Sequence, residues 1–183
     1  MILLVLTAIG VGSALFTVER MKRLAQLELR HLWLVWVAIV SQVLLIKYVG
    51  PHISLGLGNA IHLGTYALCL VFLWRNRELP GMWLIAVGAG CNLAAITANG
   101  GVMPADADAW RAAGLPELDP EVFQNSRAVA EPRLAFLGDV FHIPAEWPLS
   151  NVFSVGDVLI VIGGTYLAHA WCRRPVPTER LEL

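Results

Sequence analysis

The sequence predicts an all-α protein: a polytopic membrane helix bundle of five spans, with a cap between the fourth and fifth spans. Three observations lead to this fold class. The 183-residue chain is 57% hydrophobic and only 15% charged, whereas soluble domains carry about 25% charged residues. The ionisable residues collect between long apolar stretches. Those stretches approach the ~20 residues that a helix needs to cross the bilayer, where only helices or closed barrels satisfy the backbone.

Five apolar stretches are predicted to be membrane spans in a single membrane domain, 1–183. No positive segment precedes the first stretch, so we interpret it as a retained anchor and not as a signal peptide. The residues of the five predicted spans are 2–18, 32–49, 53–74, 82–98 and 152–171.

Three of the polar residues within the spans bear on contacts between helices. Gln42 and Asn92 are expected to form hydrogen bonds between helices. His62 is consistent with a proton relay or a haem ligand, but no histidine on another span clearly lies at the same depth, since His169 is near the inner end. We therefore expect an interhelical hydrogen bond from His62.

The distribution of Lys and Arg predicts the orientation. Cytoplasmic loops carry an excess of these residues. An N-terminus outside and a C-terminus inside places nine of them inside and four outside. The outside set is Lys47, Arg111, Arg127 and Arg133, and the inside set is Arg20, Lys22, Arg23, Arg30, Arg75, Arg77, Arg173, Arg174 and Arg180.

The segment 99–151 is then an extracytoplasmic cap. It is longer than a simple connection, and long connections tend to be functional or disordered. Asp119 followed by Pro120 is typical of a helix start, so we expect a helix from there to about Ala130. Two glycines after Asn99 favour a tight turn or a close backbone approach.

Two aspartates are the strongest candidates for chemistry. Asp157 lies at the mouth of the fifth span, where a carboxylate is costly without a partner or a function. Asp139 precedes it by eighteen residues, and the intervening chain is long enough to bring the two together. Two close carboxyl groups titrate separately, so one can act as a base toward water while the other polarises a carbonyl.

A structural interpretation of the same residues stays open. Ser154 is a candidate N-cap of the fifth helix, and Asp157 three residues later completes a capping box. Asp139 on its own is consistent with a turn residue after Gly138.

The segment 153–163, which reads F-S-V-G-D-V-L-I-V-I-G, resembles the last motif of lipoprotein signal peptidase, an aspartic peptidase of the bacterial inner membrane. The resemblance implies a multi-pass protein of the bacterial plasma membrane. It also implies Asp139 and Asp157 as the catalytic pair, with Asn99 and Asn151 as helpers. Ser154, the candidate N-cap, is a further supporting residue. That family has four spans, whereas we predict five here.

Taken whole, the chain resembles a family of small uncharacterised bacterial multi-pass proteins, a domain of unknown function. The resemblance depends on N-G-G-x-M-P at 99–104, G-D at 138–139 and S-x-G-D at 154–157. It implies no activity.

Two functions from different classes remain. The first is a membrane-embedded aspartyl hydrolase acting at the outer surface on a peptide or lipid-linked substrate. The second is a non-enzymatic small subunit or scaffold that assembles with protein partners. Both have membrane lipids as neighbours. No basic stripe or base-stacking motif indicates nucleic acid, and no ligand spacing indicates a metal or cofactor.

Overall fold

The computed structural model describes residues 2–116 and 122–174 and is mostly helical. The helices are α1 (Ile2–Gly12), α2 (Val18–Ala25), α3 (Trp33–Leu44), α4 (Leu55–Arg75), α5 (Met82–Ala98), α6 (Ala107–Ala112) and α7 (Val155–Cys172). The strands are β1 (Met103–Ala105), β2 (Ser126–Ala128), β3 (Phe141–Ile143) and β4 (Asn151–Phe153). A π turn at Leu45–Val49 and a 3-10 turn at Gly50–His52 extend α3, and another 3-10 turn covers Ala135–Leu137.

Three helical segments among the described residues are long and apolar enough to cross a membrane: Trp33–His52, Leu55–Arg75 and Val155–Cys172. The apolar helix α5 is shorter, with 17 residues. Large apolar side chains, including Trp33, Trp36 and Trp74, are exposed on α3 and α4. A soluble monomer rarely exposes contiguous apolar surface of this kind, so the exposed faces suit a lipid environment.

The first predicted span differs from the structure. It was expected to continue to residue 18, but α1 ends at Gly12 and a separate helix begins at Val18. The Ser13 hydroxyl donates to the Gly10 carbonyl oxygen at 2.6 Å, and Thr17 caps the start of α2. The structure therefore has an 11-residue helix there, which spans about 16 Å at 1.5 Å per residue.

Helices α5 and α7 make the most extensive contact in the bundle, and glycines allow it. A Cβ on Gly88 or Gly156 would overlap the other residue's carbonyl oxygen. Gly163 approaches the Gly81 carbonyl in the same way, within 2.9 Å of a Cβ position. The pairing of Gly88 with Gly156 and of Gly81 with Gly163 makes the two helices antiparallel. Small residues at such a crossing let membrane helices approach closely.

The other helices extend this pair on both sides. Helix α1 packs against α7, α4 packs against α5, and α3 packs against α4. The predicted role of Gln42 is confirmed, because its Nε2 donates to the Thr65 hydroxyl at 2.7 Å and so joins α3 to α4.

The cap contains strands, which corrects the all-α prediction. Strands β1 and β2 pair in parallel, with Met103 opposite Ser126. Strands β3 and β4 pair in an antiparallel direction, with Phe141 opposite Phe153. Asp139 adds an isolated bridge beside Ala105 of β1.

The helix expected from Asp119 to about Ala130 is wrong where the structure describes that segment. Residues 117–121 lie outside the described residues, and β2 occupies Ser126–Ala128. The cause is tertiary pairing. The Asn125 carbonyl oxygen accepts from the Met103 amide at 2.9 Å, and Phe123 is buried at 1% exposure. The Phe123 ring lies where a Cβ on Gly58 would overlap it, so the cap inserts this ring into the helix bundle.

Candidate functional site

Asp157 is fixed at the start of α7 by a capping box. Its amide donates to the Ser154 hydroxyl oxygen at 3.0 Å, and its Oδ2 accepts from the Ser154 amide at 3.0 Å. The predicted structural role of these two residues is therefore confirmed. This capping box satisfies backbone amides that the first turn of a helix leaves without partners.

Asn92 joins the capping box at the start of α7 to helix α5. Its Nδ2 donates to Asp157 Oδ1 at 2.8 Å, and its Oδ1 accepts from the Ser154 hydroxyl at 2.8 Å. The expectation that Asn92 makes interhelical hydrogen bonds is confirmed. Both carboxyl oxygens of Asp157 thus face N–H donors. The glycine crossing of α5 and α7 makes this network close enough to form, because Gly156 leaves room for the Asn92 side chain.

Asp139 is held by the cap and not by a helix. Its amide donates to the Pro104 carbonyl oxygen at 2.9 Å, and its own carbonyl accepts from the Asp106 amide at 3.0 Å. Its Oδ2 accepts from the Ser126 hydroxyl on β2 at 2.5 Å. The pKa of Asp139 is raised to about 6, and burial is the largest cause. The Ser126 hydrogen bond lowers this pKa and the charge of Asp157 raises it. Asp139 therefore keeps its proton to a higher pH than an exposed aspartate does.

Both aspartates line one cavity between the helices and the cap. Its volume is about 410 Å³, which lies in the ordinary range of small-molecule sites. The lining residues come from α4, α5, the cap and the approach to α7: His62, Tyr66, Asn92, Ile96, Met103, Trp110, Leu115, Pro116, Gln124, Asn125, Ser126, Asp139, Asn151, Val152 and Asp157.

His62 forms part of the wall that α4 contributes. It is only 3% exposed, and neither ring nitrogen has a hydrogen-bond partner among the described residues. Its ring centroid lies 5.5 Å from that of Tyr66 and 5.7 Å from that of Phe123. The expected interhelical hydrogen bond of His62 is therefore wrong, and both of its ring nitrogens are instead buried without a partner among the described residues.

The supporting residues expected from the sequence divide into two groups. Asn151 lines the cavity, and Ser154 lies behind Asp157 in the capping box. Asn99 is not among the lining residues. Its Nδ2 donates to the Ala95 and Arg133 carbonyl oxygens at 2.8 and 2.7 Å, and its Oδ1 accepts from the Arg133 amide at 2.9 Å. Asn99 therefore ties the cap to the end of α5.

Sequence reasoning missed Ser126 and Tyr66 as parts of the site. Ser126 is part of the site because it lies on β2, a strand that local propensity did not predict. Tyr66 lies four residues after His62 and so on the same helical face, which is a signal that the sequence contained. Among the described residues, no group of three His, Cys, Asp or Glu is placed to hold a metal ion.

Comparisons with known proteins identify a family whose function is unknown. The model of DUF5317, a family of unknown function, matches residues 26–168, a stretch that includes every cavity residue. An uncharacterised protein of Thermotoga maritima is 33% identical over 103 residues, which cover 56% of this chain and 58% of the relative. The match thus spans little more than half of that relative's length. No solved structure matches the chain.

Proposed function

The chain belongs to DUF5317, a family of unknown function, and we propose that it is a membrane-embedded aspartyl hydrolase of the bacterial inner membrane. The proposed substrate is a peptide or a lipid-linked molecule that reaches the cavity from the outer surface. The observation that carries the proposal is that Asp139 and Asp157 line the same cavity in unlike surroundings.

The unlike surroundings suit the two roles that aspartic hydrolysis requires. Asp157 faces two N–H donors, which suits a carboxylate that accepts a proton from water. Asp139 accepts from the Ser126 hydroxyl and holds a proton more readily than an exposed aspartate. It is the proposed acid toward a substrate carbonyl.

The reaction balances within this pair. Asp157 takes a proton from water as the oxygen attacks the carbonyl carbon, and protonated Asp139 gives its proton to the carbonyl oxygen. Collapse of the tetrahedral intermediate returns a proton to Asp139 and breaks the bond to the leaving group. Asp157 then donates its proton to that group, and both carboxyl groups regain their starting states.

The proposed topology has five spans, with the N-terminus outside and the C-terminus inside. The antiparallel packing of α5 and α7 supports it, because the cap joins the end of α5 to the start of α7 and therefore lies on one side of the bundle. The surplus of Lys and Arg on the opposite side supports an external cap. Helix α1, packed against α7, is the proposed first span, although its 11 residues are fewer than the ~20 that cross an undeformed bilayer.

A non-enzymatic membrane subunit is the second candidate. It is favoured by the complete use of both Asp157 oxygens in the capping box and the Asn92 hydrogen bond. On this alternative, Asp157 locks α7 to α5 and performs no chemistry. Asp139 takes no part in this helix cap, so it distinguishes the two candidates. The hydrolase requires Asp139 for product formation, whereas the subunit does not.

The deciding experiment compares the wild-type protein with the variants Asp139→Asn and Asp108→Asn. Asp108 is an acid of the same cap with a side chain 84% exposed, so it is the matched control. Each protein, purified and reconstituted, is incubated with bacterial membrane extract, and peptide and lipid products are identified by mass spectrometry. Products that require Asp139 and not Asp108 support the hydrolase. Identical product profiles from all three proteins would reject it and favour the subunit.

A further inference from the structure

We propose that the turn formed by residues 134–136 is a membrane anchor. It enters the lipid leaflet on the cap's side of the bundle and holds the cavity near the level of the lipid headgroups. The anchor goes beyond the proposed function and would serve a non-enzymatic subunit equally well. Three features of the turn carry the inference: its exposed apolar side chains, its fixed position beside α5 and α7, and its direct connection to the cavity wall.

The turn exposes two large apolar side chains that are close together in the chain. Phe136 is 67% exposed and Leu134 is 40% exposed. Leu134 also has a φ of +53°, a left-handed backbone conformation that is uncommon for residues with a bulky side chain. Backbone strain of this kind tends to occur at functional sites. The apolar pair is therefore presented by a backbone conformation that leucine adopts only at a cost.

The turn is held beside α5 and α7 by hydrogen bonds on both sides of it. Before the turn, the Arg133 amide and carbonyl both bond to the Asn99 side chain at the end of α5, at 2.9 and 2.7 Å. After the turn, the Asp139 amide donates to the Pro104 carbonyl oxygen at 2.9 Å. The turn itself contacts both helices. Its exposed surface therefore lies at the cap end of α5 and α7, where a bundle that crosses a bilayer reaches the headgroups.

Lipid is the neighbour that this position favours. Helix α7 is long and apolar enough to cross a membrane, and Val155, Val158 and Ile162 are exposed on it. These residues are three and four positions apart and so share one face of the helix. That face begins at the cap end of α7, where the turn lies, so the face and the turn meet the same lipid leaflet. Apolar and aromatic side chains at this level enter the boundary between headgroups and acyl chains to a depth of ~5–10 Å.

The residue after the turn packs onto the cavity wall. Leu137, which directly follows Phe136, packs against the cluster that contains Ile96 and Met103, and both of these residues line the cavity. Asp139 follows Phe136 by three residues, which span at most about 11 Å. An anchored Phe136 therefore keeps Asp139 close to the lipid headgroups. For the hydrolase, this narrows the substrate to a bond held at the membrane surface, a step that rests on the proposed function.

Photo-crosslinking tests the anchor in the full-length protein in phospholipid nanodiscs. The photoreactive residue p-benzoylphenylalanine replaces Phe136, and in a separate variant Leu134, which keeps the test valid where one replacement impairs folding. Ile162 on α7 is the lipid reference, and Asp108, whose side chain is 84% exposed on α6, is the water reference. Mass spectrometry is expected to find lipid adducts at positions 134, 136 and 162. About tenfold less adduct is expected at position 108, because only apolar surface enters the acyl boundary.

The site of attachment on the lipid gives a second readout. Fragmentation of each adduct locates the crosslinked carbon along the acyl chain. Position 136 is expected to react nearer the glycerol end than position 162, which lies about 10 Å beyond the first residue of α7 at 1.5 Å per residue. An anchor at the membrane boundary therefore differs from a lipid-facing residue inside the bilayer.

Three results would overturn the inference. Lipid adducts at position 162 but not at 134 or 136 would place the turn in water. Crosslinks from position 136 to a second copy of the chain would make the turn a subunit interface. Equal adducts at positions 136 and 108 would give the turn no special contact with lipid.

The hydrolase proposal fails separately from the anchor. Lipid adducts at position 136 without products that require Asp139 would reject hydrolysis and leave the anchor in place. Products that require Asp139, without lipid adducts at position 136, would reject the anchor and leave the hydrolase.

Discussion

Asp139 and Asp157 show how one residue type acquires two characters within a single cavity. Asp157 is fixed by N–H donors from Ser154 and Asn92. Asp139 is buried beside one hydroxyl, and burial raises its pKa. Because a buried carboxyl group prefers its neutral form, the two residues differ through their surroundings and not through their chemistry.

The raised pKa of Asp139 predicts a pH dependence of stability. A folded-state pKa near 6, against about 3.9 in the unfolded chain, means that the folded state holds the proton more tightly. The stabilisation is complete below pH ~4 and is lost as the pH rises through ~6. At about 1.4 kcal/mol per pKa unit, the loss is about 3 kcal/mol.

Thermal unfolding in detergent between pH 4 and pH 8 measures this loss. The melting temperature of the wild-type protein is expected to fall as the pH rises. Asp139→Asn, which cannot ionise at this position, is expected to show a smaller fall. Asp108→Asn controls for the other acids of the cap. Parallel pH curves for wild type and Asp139→Asn would contradict the assignment.

Ser154 gives a second prediction at this scale. Ser154→Ala removes the acceptor of the Asp157 amide and the donor to Asn92 Oδ1, both buried. Loss of a helix cap costs about 1 kcal/mol, and a buried group left without a partner adds about 1–3 kcal/mol. Thr17→Ala, at the exposed cap of α2, is expected to cost less, and chemical unfolding of both variants checks the order.

At the scale of elements, the glycine crossing between α5 and α7 determines whether the site forms. Gly88 and Gly90 lie on the same helix, yet a Cβ on Gly88 would overlap the Gly156 carbonyl, whereas a Cβ on Gly90 meets nothing within 4 Å. The crossing also sets the distance between Asn92 and Asp157. The position of the site therefore depends on helix packing more than on any loop.

Gly88→Ala is expected to destabilise the protein by about 1–3 kcal/mol, as overpacking does, and to reduce any activity that depends on Asp157. Gly90→Ala should be neutral or slightly stabilising, because alanine is the better helix former. Melting temperatures of the two variants in one detergent check the contrast. Equal losses from both would mean that helix propensity, and not the crossing, sets the cost.

The elements that the sequence predicted well are those with strong apolar patterns. A predicted helix over residues 82–98 agrees with the structure, where α5 occupies the same residues. The Ser154 and Asp157 cap was also predicted, because a capping box is a local pattern. Strand β2 was not, since its structure depends on pairing with β1 across the chain. The unpartnered state of His62 was missed for the same reason: a hydrogen bond depends on distant neighbours.

At the scale of the whole molecule, the proposed orientation makes a prediction about which side of the membrane the cap faces. An external cap predicts that a cysteine at position 108 reacts with a membrane-impermeant maleimide in intact cells. A cysteine at position 77, between α4 and α5, should react only after permeabilisation. Both tests start from a variant in which Cys69, Cys91 and Cys172 are replaced by serine. The reverse labelling pattern would place the cap in the cytoplasm.

Phe123 has a consequence for how firmly the cap is held to the helix bundle. The ring is buried against Gly58, and moving it into water costs about 1.5–3 kcal/mol. At 1.4 kcal/mol per factor of ten in an equilibrium constant, this contact alone holds a lifted cap to between about one and eight per cent of molecules. The hold of the cap on the bundle therefore depends in part on a single phenyl ring, which also lies 5.7 Å from the His62 ring.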